Sequence, residues 1–334
     1  MLRFWSTLHR YGTATGVWLV RAGLGMALVL TWSAISRADT PLKPSGSAET
    51  AVSVWVPEGA LSEPASLLVT ADYLSEDNLP AGITAPPGTV GSPITFGIWQ
   101  GESQIYTNFN PSLVINIQYN EEDVPADVLA EEQSLHLFMY QPTLQTWVKL
   151  CTSVQIDENL LSAALARVVP AEDQGSVLLA IAPDRSAPLT QTVDSSGLTE
   201  ITSPDSDLRF QVQSASVPDG THFVMTVLPS SAAAGSLQLL SNPVDIKACH
   251  VDHTNPTQNT VEMTSFFFKP PQVAFSFNAA TLSRAGRTTN LTVAGMFDNQ
   301  NWIDLEAFGS RLVRERRMVA VDTPVLGAFS LATR

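Results

Sequence analysis

The chain has 334 residues, of which 44% are hydrophobic and 15% charged, and its formal net charge is −14. That acidic balance sets nucleic acid and anionic lipid aside as principal partners, because phosphate recognition needs clustered cations. It favours solubility instead.

Residues 1–38 read as a signal peptide rather than as fold. Arg3, Arg10, Arg21 and Arg37 supply positive charge, and the first acid is Asp39. The apolar stretch Gly23 to Ile35 is followed by small residues at Ser36 and Ala38, which suits cleavage after Ala38. This run is short of the roughly 20 residues a bilayer span needs. An uncleaved signal anchor stays open as the alternative, and membrane contact is expected only through it. Cleavage removes four Arg and leaves a chain of net charge −18, long enough for two domains.

Residues 39–50, "DTPLKPSGSAET", form a polar leader expected to be flexible. Beyond it the hydrophobic pattern has period two. Val52, Val54 and Val56 share one strand face, and Leu113, Ile115, Ile117 and Tyr119 share another. Leu208, Phe210 and Val212 repeat the pattern, as do Val273, Phe275 and Phe277. The one helical candidate is Glu158 to Val169, "ENLLSAALARVV", which reads equally well as strand and loop. The chain is therefore expected to be all-β.

Similar landmarks return in the same order. Val52–Val56 and Leu208–Val212 lie 156 residues apart, Pro111 and Pro271 lie 160 apart, and Trp147 and Trp302 lie 155 apart. The closing strands Val177–Ala182 and Ala328–Thr333 complete the series. We read two tandem immunoglobulin-like β-sandwich domains, 51–183 and 201–334, joined by a linker at 184–200. Trp147 and Trp302 mark the same hairpin in each copy and are expected to pack there, over Phe138 and Tyr140 in the first; an exposed aromatic contact is the alternative.

The first copy resembles a known module. "VSVWVPEGALSEPASLLVTADY", with Pro57, Gly59 and Ala60, is similar to the Pro-x-Gly-Ala opening of β-sandwich modules in ankyrins, netrin receptors and zonula occludens proteins. Bacterial secreted proteins carry similar modules. Phe109, Pro111, Leu135, Leu137, Phe138, Trp147 and the Val177–Ala182 strand occupy the places that follow in that family. The second copy matches more loosely. Some relatives self-cleave at a His-Phe-Ser step; "VVPAEDQGSVLL" stands there in this chain, so autoproteolysis is not implied. The resemblance implies a fold and binding or scaffolding work.

The two cysteines, Cys151 and Cys249, fall one in each copy. In an exported chain such a pair permits a disulfide that would staple the halves together. Its geometric demands are strict, and two buried thiols are the expected state. The segment "CHVDH" groups His250, Asp252 and His253 with Cys249 as weak metal-ligand candidates. Tetrahedral zinc usually takes two separated ligand pairs, and no second pair is evident. Polar loop chemistry is expected there, and no cofactor.

The acidic stretch Glu121 to Glu132 lacks the Asp spacing and the Gly turn of a calcium loop. Catalytic elbows, zinc helices and phosphate loops are not found. The sequon at Asn290 lies in an expected strand. From Asp39 to Pro183 there are 18 acids against 3 bases, and from Asp184 onward 14 against 11. Four of the latter bases lie in "RLVRERR", Arg311 to Arg317, expected to be a solvated loop. Together these features point to an exported, non-catalytic structural or interaction protein of the envelope or extracellular space. A protein or cell-surface component would be its partner. The alternative is an accessory subunit binding through sandwich edges or the acidic first domain, and a hydrolase with hidden paired carboxylates comes third.

Overall fold

The computed structural model describes residues 17–21, 27–33, 52–57, 60, 66–74, 78–100, 103–104, 108–129, 134–167, 177–184, 191–192, 198–203, 207–213, 216–218, 221–229, 236–251, 260–263, 269–297 and 301–334. The chain is all-β, as the alternation requires, and every strand pair described is antiparallel.

The first half opens with β1 (Val17–Arg21) and β2 (Ala27–Ser33), then β3 (Val52–Trp55), β4 (Ser66–Tyr73) and β5 (Val90–Gln100). After the short β6 (Ser103–Gln104) come β7 (Asn108–Gln118), α1 (Ala126–Leu129), β8 (Leu135–Gln141) and β9 (Thr146–Lys149). The half closes with β10 (Cys151–Gln155), β11 (Leu160–Arg167) and β12 (Val177–Pro183). A first sheet runs β1-β2-β4-β5-β12-β8-β9, with β6 on β5, and a second runs β10-β11-β7-β3. The segment read as a signal peptide thus contains a strand hairpin on the edge of the first sheet, its β2 pairing with β4.

The second half has β13 (Gln191–Thr192), β14 (Thr199–Ser203), β15 (Leu208–Val212), β16 (Thr221–Val227), β17 (Gln238–Leu239) and β18 (Val244–Val251). It continues with β19 (Thr260–Met263), β20 (Gln272–Ser276), α2 (Ala279–Ala285), β21 (Leu291–Met296) and β22 (Ile303–Asp304). Last come β23 (Arg311–Val313), β24 (Met318–Asp322) and β25 (Ala328–Thr333). A third sheet runs β13-β16-β18-β25-β21-β22, with β17 on β25 and β19 on β18; a fourth runs β14-β15-β20-β24-β23.

The two halves have one topology. The order β4-β5-β12-β8-β9 is matched by β16-β18-β25-β21-β22, and β10-β11-β7-β3 by β23-β24-β20-β15. Register agrees as well. Leu161 opposes Ile117 where Val319 opposes Phe275, and Val54 opposes Ile115 where Phe210 opposes Val273. Both hairpins that enter these inner strands turn through a 3-10 segment closed by a left-handed residue, Asn159 in one and Arg317 in the other.

Each half encloses its own core. Phe96, Leu113, Ile115, Ile117, Leu137, Leu161 and Leu179 fill the first. Phe210, Phe223, Phe275, Val293, Phe329 and Leu331 fill the second, with Phe210 and Phe223 edge-on at 4.8 Å. Burying each such side chain contributes about 1.5–3 kcal/mol relative to exposure. The central strands β12 and β25 are buried on both faces, which explains their runs of Ala and aliphatic residues. Gly327 precedes β25 because a Cβ there would run into the Met296 carbonyl oxygen.

"ENLLSAALARVV" supplies strand β11 over Leu160–Arg167, the strand of the readings left open for it. Two expectations are corrected. "RLVRERR" is strand β23 of the fourth sheet and the 3-10 turn, Arg314–Arg316, that leads into β24, rather than a loop throughout. The cysteines are bonded: Cys151 and Cys249 are joined with their Cα atoms 5.5 Å apart. Two adjacent strands meeting at that spacing satisfy the bond without moving the backbone.

Candidate functional site

The chemistry of this chain is concentrated where its halves meet. Along β7, Leu113, Ile115 and Ile117 enter the first core, while Ser112, Val114 and Asn116 point the opposite way and are buried too. On β11, Ser162 and Ala164 do the same, and Ser162 donates to Asn116 Oδ1 at 2.6 Å. The outer face of the second sheet is therefore a second buried surface. β19, the hairpin mate of β18, lies against β7, β10 and β11 and covers it. The disulfide sits in this joint, packed with Ala164 and Val224.

Beside the disulfide the joint is polar. The Lys149 backbone N–H donates to Thr226 Oγ1 of the other half at 3.2 Å. Its ammonium, 2% exposed, donates to Asp184 Oδ2 at 2.8 Å. Burial pushes the Lys149 pKa down, and the Asp184 carboxylate works against that shift. Asp245 and Lys247 form a second ion pair on β18 and also act on Lys149. Asp184, read as the first linker residue, is thus an anchor of the joint.

One histidine, His136, lies beside this pair, and His222 and His250 lie next to Cys249 on the neighbouring strands β16 and β18. His136 on β8 donates from Nδ1 to the Ser134 carbonyl at 2.9 Å. Burial lowers its pKa, the Ser134 bond raises it, Lys149 lowers it and Asp184 raises it, and burial prevails. His222 on β16 is lowered by burial first, then by His136 and His250. His250 on β18 buries Nδ1 without a hydrogen-bond partner among the described residues. Its companions Asp252 and His253, the other weak metal candidates, lie outside the described residues. Among the described residues no group of three or more His, Cys, Asp or Glu is arranged to hold a metal.

The other sequence candidates are dispersed. Pro57 is buried at a turn where Ala60 N–H reaches its carbonyl at 3.1 Å; Gly59 lies outside the described residues. Glu121, Glu122 and Asp123 are exposed in a 3-10 turn capped by Asn120. Asn290 precedes its strand in a 3-10 turn and donates from Nδ2 to the Ala285 carbonyl at 3.0 Å.

The two tryptophans take different work. Trp147 is half-buried, edge-on to Tyr140 at 5.4 Å, and its Nε1 donates to the Thr84 carbonyl at 2.8 Å. The Tyr140 contact is packing within the hairpin, and the bond to Thr84 ties the hairpin to a preceding loop. Trp302 is also half-buried, but it packs on Leu144, Val148, Leu228, Met296 and Ala328, a cluster drawn from both halves. Sequence gave no signal for this, because only the contact across the joint distinguishes the two.

The fourth sheet presents the remaining feature. Its outer face has a floor of Ala274, Met318 and Ala320 beside Val313. Arg209, Gln211, Gln272 and Arg316 rim a depression of about 40 Å³ over that floor. Arg311 is bonded to Asp322 at 2.9 Å, and Gln272 donates to the same carboxylate at 2.9 Å. Burial opposes the Asp322 charge, but these partners hold its carboxyl below the usual range. Arg209 stands 3.8 Å from Glu200. The rim can offer guanidinium donors to a carboxylate while the floor accepts apolar contact.

No protein-family model matches the chain, and neither the curated proteins nor the solved structures contain a match. The reading of function therefore rests on this geometry.

Proposed function

We propose that the chain is an exported, non-catalytic structural or interaction protein that works at the cell envelope or outside it. In this reading residues 1–38 are removed as a signal peptide, and two tandem immunoglobulin-like sandwiches, similar to the Pro-x-Gly-Ala module, remain. The observation that carries it is the disulfide Cys151–Cys249, buried in the joint between the halves. Structural disulfides form and persist in oxidising compartments and are rare in the cytosol. A bond in that position fixes the orientation of two modules, which suits a spacer or binding body.

The test is peptide mapping of the native protein without reduction, combined with cell fractionation and N-terminal sequencing. A linked Cys151–Cys249 peptide in an extracytoplasmic fraction whose chain begins at Asp39 is the expected result. Reduced thiols in a cytoplasmic, unprocessed chain would overturn the reading.

The accessory-subunit alternative is favoured by the Arg-rimmed face of the fourth sheet. Under it, an acidic partner co-purifies at low salt and is lost at high salt, because exposed charge pairs are screened.

A further inference from the structure

We propose that the outer face of the fourth sheet is a docking surface for a second copy of this chain, which seats its β5–β6 hairpin there. The proposal rests on reading the chain as an interaction protein and names its partner.

The argument starts from register. Matched strand pairs make Asn116 the counterpart of Ala274, and Ser162 that of Ala320. In the first half this face is an interface, covered by the β18–β19 hairpin of the second half. In the second half the same face carries the rimmed depression, and Arg209 and Arg311 on it are 44% and 49% exposed. One topology therefore presents the same face twice, once covered by the other half and once, with Ala274 and Ala320 buried, covered only by its own rim side chains.

The occupant follows from the same comparison. β18 pairs with β16, β25 and β19; β5 pairs with β4, β12 and β6. The β5–β6 hairpin is thus the first half's counterpart of the hairpin that fills the joint. A second copy stacked by the same operation brings β5–β6 over the fourth sheet.

Charge agrees. Cys151–Leu160 at the filled face contains Asp157 and Glu158 and no base, whereas its counterpart in the other face contains Arg311, Arg314, Arg316 and Arg317 against Glu315. The arriving half, Asp39 to Pro183, carries 18 acids against 3 bases. Acid meets base across the new contact only when the first half of one copy meets the second half of another. Such a contact is heterologous, so it does not close at a dimer.

Sedimentation velocity on the full-length, disulfide-intact protein, from micromolar to millimolar, tests this. Mass is expected to rise with concentration past the dimer. The rim variant Arg209→Glu/Arg316→Glu and the hairpin variant Ser103→Pro should each weaken association at least tenfold. Mixing the two should yield dimers and nothing larger, because each retains one good end. Gln104→Lys replaces Ser103→Pro if the proline lowers the melting temperature. A wild-type chain that stays monomeric, or assembles identically in the rim variant, overturns the proposal. Localisation and the linked Cys peptide read the underlying function separately.

Discussion

The outer face of the second sheet and the outer face of the fourth have one strand order and one register, yet they carry different residues. The first holds Val114, Asn116, Ser162 and Ala164, all buried beneath β19. The second holds Gln272, Ala274, Ala320 and Asp322 beneath a fringe of long polar side chains. A sheet face that meets another module needs small residues and satisfied polar groups, since a buried hydroxyl or amide without a partner costs roughly 1–3 kcal/mol. Ser162 and Asn116 meet that need by bonding each other. A face that meets water keeps charge. The topology is common to both halves, and the residues on one face decide which role it takes.

The widest contrast comes from placing the same charge at the same register. Ser162→Arg puts a guanidinium into a fully buried site between the halves. It should cost about 3–5 kcal/mol or prevent folding, because an unpaired buried charge is heavily penalised. Ala320→Arg enters a floor that is also buried, but only its own face's long side chains cover it and they can lift toward water, so it should cost less, about 1–3 kcal/mol. Urea midpoints of the two variants measure this. Equal losses would show that the two faces are not distinguished by cover.

Next in size is the staple. The bond Cys151–Cys249 spans 98 residues of sequence. Closing so long a loop restricts the unfolded chain, and Cys249→Ser should cost about 2–4 kcal/mol. The melting temperature should fall and become insensitive to reductant. The open face needs no such bond, so a reduced protein should loosen at the second sheet while the fourth keeps its hydrogen-exchange protection. Loss of protection in both together would mean the halves unfold as one unit.

Much of this organisation was legible in sequence. Val52, Val54, Leu113, Ile115, Phe210 and Phe275 alternate with more polar or smaller neighbours, and strand order could be counted from them. β11 was ambiguous because both its faces are buried: Leu161, Ala163 and Leu165 enter the core while Ser162 and Ala164 enter the joint. That removes the polar alternation that marks a strand. α2 was missed because seven residues give too short a period, although Asn278 caps it by accepting from the Thr281 N–H at 2.9 Å. The joint was illegible for a different reason. Nothing local to Lys149, Asp184 or Trp302 distinguishes a surface residue from one that another module covers.

The ion pair of the joint gives a smaller effect than the staple. Asp184→Ala removes the carboxylate that meets the Lys149 ammonium. Lys149 stays buried, so a loss of about 2–3 kcal/mol is expected. The double variant Asp184→Leu/Lys149→Met should recover most of it, because a well-packed apolar pair often matches a buried salt bridge. Arg311→Ala, which breaks a half-exposed pair on the open face, should cost under about 1 kcal/mol. A cost for Arg311→Ala equal to that of Asp184→Ala would mean that cover makes no difference to a charge pair.

The smallest effect separates the faces by acidity. His136 and His222 border the joint, and both have pKa values below 6.5 in the folded chain. Unfolded, they return to about 6.5 and bind protons that the folded state refuses. Stability should then be full above about pH 6.5 and decline as pH falls through that value toward the folded pKa values. Each histidine contributes at most about 1.4 kcal/mol per pH unit. Lys149 and Asp184 face His136 with opposite effects, and His250 adds to the lowering at His222, so the slope should exceed that of either histidine alone. Urea midpoints between pH 7.5 and about pH 5.5 resolve it, a window above the ordinary carboxylate range. His136→Gln should remove part of the slope and His136→Gln/His222→Gln most of it. The Arg-rimmed face has no histidine among its lining residues, so Arg209→Glu/Arg316→Glu should leave the slope intact. A slope that survives the histidine pair would place the titrating groups outside the joint.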